Sequence, residues 1–262
     1  MTTAELALTD TGADMRALQM IRADLDIREF HRWAGVRGLI SRAAFDEGYA
    51  MHCLLVESFG ELSPKPFRVI IPPIRSRRTG TLYGYARCDV GDLRAAAATF
   101  CDPLQAKILP ASSIDSKPMP AEWQSGKRLG FEILLRPTIR RGRGSDRAGS
   151  ECDVFQAEAE KHGKEMMPQT REQVYTDWLR KRLESCGAAS LESATLAMFQ
   201  RTCAIRKLHG RPSEGPHALM RGTLTISEPE EFARLVASGI GRHKAYGYGM
   251  LLLRPPQLAR AQ

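Results

Sequence analysis

The chain has 262 residues, 43% hydrophobic and 26% charged, the balance of a globular protein with room for one large domain or two of about 130 residues. Its net charge of +8, carried mostly by arginine, points to a polyanionic partner, with nucleic acid ahead of a membrane surface. The six cysteines show neither a C-x-x-C pair nor zinc spacing, and no signal peptide or transmembrane-length apolar run is present, so a zinc module and a membrane protein are excluded and free thiols in a cytoplasmic protein are expected.

Residues 1–14 are small and polar and read as a tail. MRALQMIRADL (15–25) is expected to form the first strand. From Asp26 to Ser58 the pattern is helical, interrupted by Gly35, Gly38 and Gly48. Asp46 is placed to cap a helix from Glu47 to Phe59, whose apolar stripe is Met51, Leu54, Leu55 and Phe59. FRVII (67–71) and TGTLYGYARC (79–88) read as two strands joined by a turn that holds the basic run IRSRR (74–78). VGDLRAAAATF (90–100) reads as a helix and LQAKILP (104–110) as a fourth strand. This order of strand, helix, strand, strand, helix, strand is the ferredoxin-like plan.

A polar linker (111–126) precedes RLGFEILLRPTIRR (128–141), a strand that runs into the basic loop RRGRGSDRAGS (140–150). Residues 151–168 are charged and lack clear periodicity. A capped helix follows at 170–187, then strands at 194–207 and 217–227. Pro229 opens a helix at its favoured first-turn position. A glycine loop and the strand MLLLRP close the chain. The second half thus repeats the order of the first. The expected fold is α+β, two tandem ferredoxin-like (RRM-like, βαββαβ) domains at 15–110 and 127–256.

The glycine loop, GIGRHKAYGYG, spans Gly239 to Gly249 and fits G-Φ-G-x5-G-Φ-G, with Arg242, His243 and Lys244 inside it. Glycines permit φ > 0 and close backbone approach, and consecutive amides in such a turn form an anion-binding nest. The dinucleotide fingerprint is excluded because a helix precedes this loop and a strand follows it. A P-loop is excluded because no Lys-Ser/Thr follows a glycine at the needed spacing. A phosphate chain such as RNA suits the loop better than a nucleotide. The competing view is a tight helix–strand connection whose glycines serve packing alone.

The loop resembles the signature of the CRISPR repeat-RNA-processing endoribonucleases of the RAMP superfamily. The longer stretch SGIGRHKAYGYGMLLLRP (238–255) is similar to the CasE-type, E-subtype members of Cascade. GYAMHCLL (48–55), GKRLGFEILLRPTIRR (126–141) and MRGTLTISEPEEFARLVASG (220–239) extend the resemblance over most of residues 46–256. It implies cleavage of repeat RNA beside a stem-loop without metal or cofactor, by 2′-hydroxyl attack that leaves a 2′,3′-cyclic phosphate and a 5′-hydroxyl. It further implies retention of the crRNA within a Cascade-type complex, with the other subunits and target DNA as partners. The alternative is a non-catalytic RNA-binding subunit of the same superfamily.

On that resemblance His52 is the catalytic residue, able to give or take a proton near neutral pH. Tyr49, at i−3 on the same helix face, would orient the 2′-hydroxyl or contact a phosphate oxygen. The sequence departs from the family at 27–46, an insert that carries a second histidine, His31. Tyr49 three residues before His52 favours the latter, since Arg28 holds that place before His31. His243 is the second choice for proton transfer, whereas His162, His209 and His217 lie in polar or loop contexts and read as solvated. RNA contacts are expected from Gly239, Gly241, Arg242, His243, Lys244, Gly247 and Gly249, and from Arg136, Arg140, Arg141 and Arg143. Arg75, Arg77 and Arg78 of the basic turn complete the expected set, because an A-form stem is read through phosphates and shape.

Overall fold

The computed structural model describes residues 17–40, 45–72, 79–142, 149–163, 167–204 and 213–256. Two four-stranded antiparallel sheets organise it, one in each half of the chain.

The first half runs β1 (Gln19–Asp26), α1 (Ile27–Val36), α2 (Glu47–Phe59), β2 (Phe67–Ile70), β3 (Thr79–Ala86), α3 (Val90–Phe100), α4 (Pro103–Ile108) and β4 (Asp115–Pro118). Its sheet order, β2-β3-β1-β4, is that of a ferredoxin-like domain. The second half runs β5 (Arg128–Leu135), β6 (Thr138–Arg140), β7 (Glu151–Asp153), α5 (Val154–His162), α6 (Arg171–Glu184), β8 (Ala189–Ala204), β9 (Ser213–Ile226), α7 (Pro229–Ser238) and β10 (Leu251–Arg254). Its order β10-β5-β9-β8 repeats the plan, while β6 and β7 form a separate two-stranded ribbon.

Helix α2 follows from local chemistry. The Asp46 carboxylate accepts a hydrogen bond from the Tyr49 amide at 2.9 Å, a cap worth about 1 kcal/mol. Ala50, Met51, Leu54, Leu55, Ser58 and Phe59 are buried at helical spacing. They pack on Ile21, Ala23 and Leu25 of β1 and Leu82 of β3, alternate residues that share one sheet face. The opposite face, with Tyr85 and the partly buried Met20, Ile70 and Tyr83, packs into the core of the second half. There the Tyr85 hydroxyl donates to the Leu251 carbonyl at 2.8 Å. This contact fixes the glycine loop's side of the second sheet against the first.

Several elements differ from expectation. Residues 104–110 are not a strand: Pro103 sits in the first turn of α4, and Asp102 and Gln105 form a reciprocal capping box around its start. That box satisfies amides which a strand would need for pairing. The strand that completes the first sheet is β4, inside the stretch expected as linker, and it pairs with β1. Residues 27–36, part of the expected insert, form α1, which buries Phe30, Trp33 and Ala34 in the first core. The single strand expected at 128–141 breaks into β5 and β6 at Pro137, which lacks the amide that a ladder needs. The unpatterned stretch 151–168 contains β7 and α5.

Candidate active site

The glycine loop lies on helix α2. Gly48, one residue before Tyr49, has the Tyr246 carbonyl directly above it, so an added Cβ would collide with that oxygen. The Tyr246 ring meets His52 edge-on with centroids 5.3 Å apart, and lies 6.0 Å from the Tyr49 ring. The loop's shape depends on residues with φ > 0: Gly239, Gly241, His243, Gly247 and Gly249. The Ile240 amide donates to the Gly249 carbonyl at 2.9 Å and closes the loop, while the Gly249 amide donates to Leu134 at 2.8 Å. Packing therefore accounts for much of the glycine content, and its result is to bring the Lys244–Tyr246 turn over His52.

Replacement of Gly48 by alanine separates that docking role from simple helix propensity. At a free helical position the change would stabilise by about 1 kcal/mol. Here it must displace the Tyr246 carbonyl, so the expected result is a lower melting temperature in place of that rise. A more stable variant would show that the loop does not need this seat.

Burial, then the nearby Lys65 charge, holds the His52 imidazole below its ordinary value of 6.5. The same two causes, in the same order, lower Lys244. Tyr49 is shifted up, chiefly by burial and then by Cys53, with which its hydroxyl shares a hydrogen bond. The lowered value favours the neutral His52 imidazole, the form that can accept a proton, and Lys244, on the turn docked against α2, meets no carboxylate among the described residues.

Arg242 and His243 are placed differently from expectation. The buried Glu151 carboxylate accepts from Arg242 Nε at 3.0 Å and meets His243 Nε2 at 2.8 Å. Both side chains are thereby fixed on β7, and His243 is itself buried. Arg136 is 2% exposed; its guanidinium reaches Thr202 and lies against Gly215, so it is not a surface RNA contact. Arg141 forms a two-point pair with Glu160 at 2.6 and 2.7 Å, whereas Arg140 is exposed and meets no carboxylate at hydrogen-bond distance among the described residues. Arg75, Arg77, Arg78 and Arg143 lie outside the described residues, as does His209.

The remaining histidines also fall into place. His31 sits on α1 beside Glu47 and Phe45. His162 is exposed near Glu158. His217, expected as solvated, is instead on β9 with Nδ1 3.0 Å from the Tyr248 hydroxyl, and burial with Arg68 and Arg136 lowers it to about 4. Sequence reasoning missed Gly48, Lys65, Glu151 and Tyr246 as parts of the site. Gly48 beside the Tyr-x-x-His pair was the available signal, since a glycine inside a helix marks a close approach. Among the described residues no cluster of His, Cys, Asp and Glu is arranged to hold a metal, and no helix is long and apolar enough to cross a membrane.

The family described as CRISPR associated protein matches residues 19–255. No curated protein matches the chain. Among solved structures it is similar to Thermus thermophilus Cse3 bound to an RNA representing a pre-cleavage complex, with 18% identity and a TM-score of 0.61 over 91% of this chain and 100% of that one. It is also similar to the CRISPR-associated protein Cas6e from Escherichia coli K-12, with 19% identity and a TM-score of 0.51 over 90% and 99%. A chain of a CRISPR RNA-guided surveillance complex matches at 16% identity and a TM-score of 0.54 over 90% and 98%. At these identities the structures speak for the shared fold, and the family match, which spans both sheets, decides the membership. The chain belongs to the family of CRISPR-associated proteins.

Proposed function

We propose that this chain is a metal-independent endoribonuclease that cuts CRISPR repeat RNA beside a stem-loop and stays with the crRNA as a subunit of a Cascade-type complex. The observation that carries the proposal is the docking of the Lys244–Tyr246 turn on α2 next to a neutral His52. The similar structures described as CRISPR endoribonuclease Cse3 with RNA, and as part of a surveillance complex, support the same substrate and assembly.

In this mechanism His52 takes the proton from a 2′-hydroxyl as its oxygen attacks the adjacent phosphorus. Tyr49 holds that hydroxyl in line, and Lys244 faces the negative charge that builds on the phosphorane. The 5′-oxygen departs and is protonated to a 5′-hydroxyl, leaving a 2′,3′-cyclic phosphate on the upstream fragment. Exposed Arg140 and the basic segments around 74–78 and 143 are assigned to the stem phosphates.

The test is incubation of the purified chain with the repeat RNA of its own array in EDTA. Cleavage at one position supports the enzyme. Tight binding without cleavage would contradict it and favour a non-catalytic RNA-binding subunit.

A further inference from the structure

The Lys244–Tyr246 turn is bracketed by two left-handed residues, His243 (φ 60°, ψ 28°) and Gly247 (φ 83°, ψ 9°). Gly247 takes that conformation freely. His243 carries a Cβ, and among the described residues it is the one non-glycine with φ > 0. Its carbonyl accepts from the Tyr246 amide at 2.8 Å, so the backbone angles of His243 aim the turn that lies on α2. A side-chain-bearing residue stays in this region only where its surroundings hold it there.

Glu151 is placed to hold it. The Glu151 carboxylate, on a side chain 8% exposed, accepts from His243 Nε2 at 2.8 Å and from Arg242 Nε at 3.0 Å. One buried anion thus grips the side chains of two consecutive loop residues, which restrains the backbone between them. Glu151 stands on β7, and its seat is firm. Asp153, two residues on and so on the same face of the strand, accepts from the Tyr175 hydroxyl at 3.0 Å and from Arg171 at 2.9 Å, both on α6. Asp153 also caps α5 through the Phe155 amide at 2.9 Å. A line of contacts therefore runs from α6 through β7 to His243, and through Tyr246 to His52.

We propose that Glu151 is a positioning residue for the cleavage reaction: by holding His243 in the left-handed region, it sets the Lys244–Tyr246 turn against α2 and the Tyr246 ring against His52. The proposal rests on the endoribonuclease reading above. Glu151 touches no reacting atom and acts only through His243 and the turn. Groups held in place before the substrate arrives spare the reaction the cost of ordering them. Without the carboxylate, His243 is free to return to φ < 0, and the turn that follows it swings off its seat.

The experiment compares the wild type with Glu151→Ala, His243→Gly and the double variant, in EDTA on repeat RNA under single-turnover conditions. Affinity is measured separately on RNA carrying a 2′-deoxy nucleotide at the mapped cleavage position. Glu151→Ala is expected to cut about 10²-fold more slowly, the scale of an ångström-sized misplacement, with a much smaller loss of affinity. Glycine takes φ > 0 without a holder, so His243→Gly should lose less, and the double variant should cut at least about tenfold faster than Glu151→Ala. Glu151→Gln, which keeps the volume but can accept from only one of the two donors, should follow the same pattern if Glu151→Ala fails to fold. Proton NMR of the His52 ring gives a readout without RNA. The shift imposed by the edge-on Tyr246 ring, defined against Tyr246→Leu, should shrink in the Glu151 variants and return in the double variant. A wild-type rate without the carboxylate would overturn the proposal. So would a slow Glu151 variant that His243→Gly does not relieve, or a His52 shift indifferent to Glu151. An inactive wild type would overturn the endoribonuclease reading, while the His52 shift would still decide whether Glu151 sets the turn.

Discussion

Replacing His52 with alanine is expected to slow repeat-RNA cleavage by about 10² to 10⁴-fold, the usual worth of a positioned acid–base group, with little change in RNA affinity. The expectation rests on the site's electrostatics as well as on the identity of the residue. A base must be neutral to accept the 2′-proton, and burial together with Lys65 keeps this imidazole below the ordinary value of 6.5. The direction of the pH dependence follows. Activity should persist to lower pH than an unperturbed histidine would allow, and fall only as His52 itself becomes protonated. His243→Ala tests the competing histidine. Its ring is buried on Glu151, so its loss should loosen the loop and lower the rate without moving that inflection. If His52→Ala cut at the wild-type rate, the base would lie elsewhere, and His243 or His31 would come next.

Glu132→Gln is expected to lower the unfolding free energy by about 3 to 5 kcal/mol, the cost of leaving a buried partner charge uncompensated. Glu132 on β5 is 3% exposed and joins three arginines: Arg68 at 3.3 Å, Arg221 at 2.7 Å and Arg254 at 3.1 Å. Arg68 comes from β2, so the cluster binds the first sheet to the second. Arg68 is itself buried, and burial pulls its guanidinium below the ordinary value while Glu132 opposes that shift. Without the carboxylate, Arg68 would face Arg221 and Arg254 with nothing between them. Denaturant unfolding measures the loss, and the double variant with Arg68→Met should recover part of it. A loss below about 1 kcal/mol would put this cluster in the class of exposed ion pairs.

Helices α2 and α3 were legible in the sequence to the residue, because their apolar spacing and α2's Asp46 cap are local signals. Helix α4 carried an equally local signal, Asp102-Pro103 with Gln105, but its apolar side chains read as a strand. Strand β4 is Asp-Ser-Lys-Pro, polar and short, and it exists because the edge of β1 offers backbone partners. No side-chain pattern could announce it. In the site, the Tyr49–His52 pair and Lys244 could be named in advance, since their spacing is carried by one helix and one loop. Glu151 could not, because it reaches His243 across 92 residues of sequence. A basic run reads as surface charge, which is why the sequence alone directs Arg136 and Arg141 to RNA. Folding buries the first against Thr202 and Gly215 and pairs the second with Glu160. The glycine loop, read first as a phosphate nest, has a more specific role in the fold. Its glycines bend the chain so that Tyr246 closes over His52.

The most direct measurement is end-group analysis by mass spectrometry of the fragments formed in EDTA, with a 2′-deoxy nucleotide at the cleavage position as the control. The expected products are a 2′,3′-cyclic phosphate on the upstream fragment and a 5′-hydroxyl on the downstream one, with no cleavage of the 2′-deoxy RNA. A 3′-hydroxyl with a 5′-phosphate, or cleavage of the 2′-deoxy substrate, would contradict it.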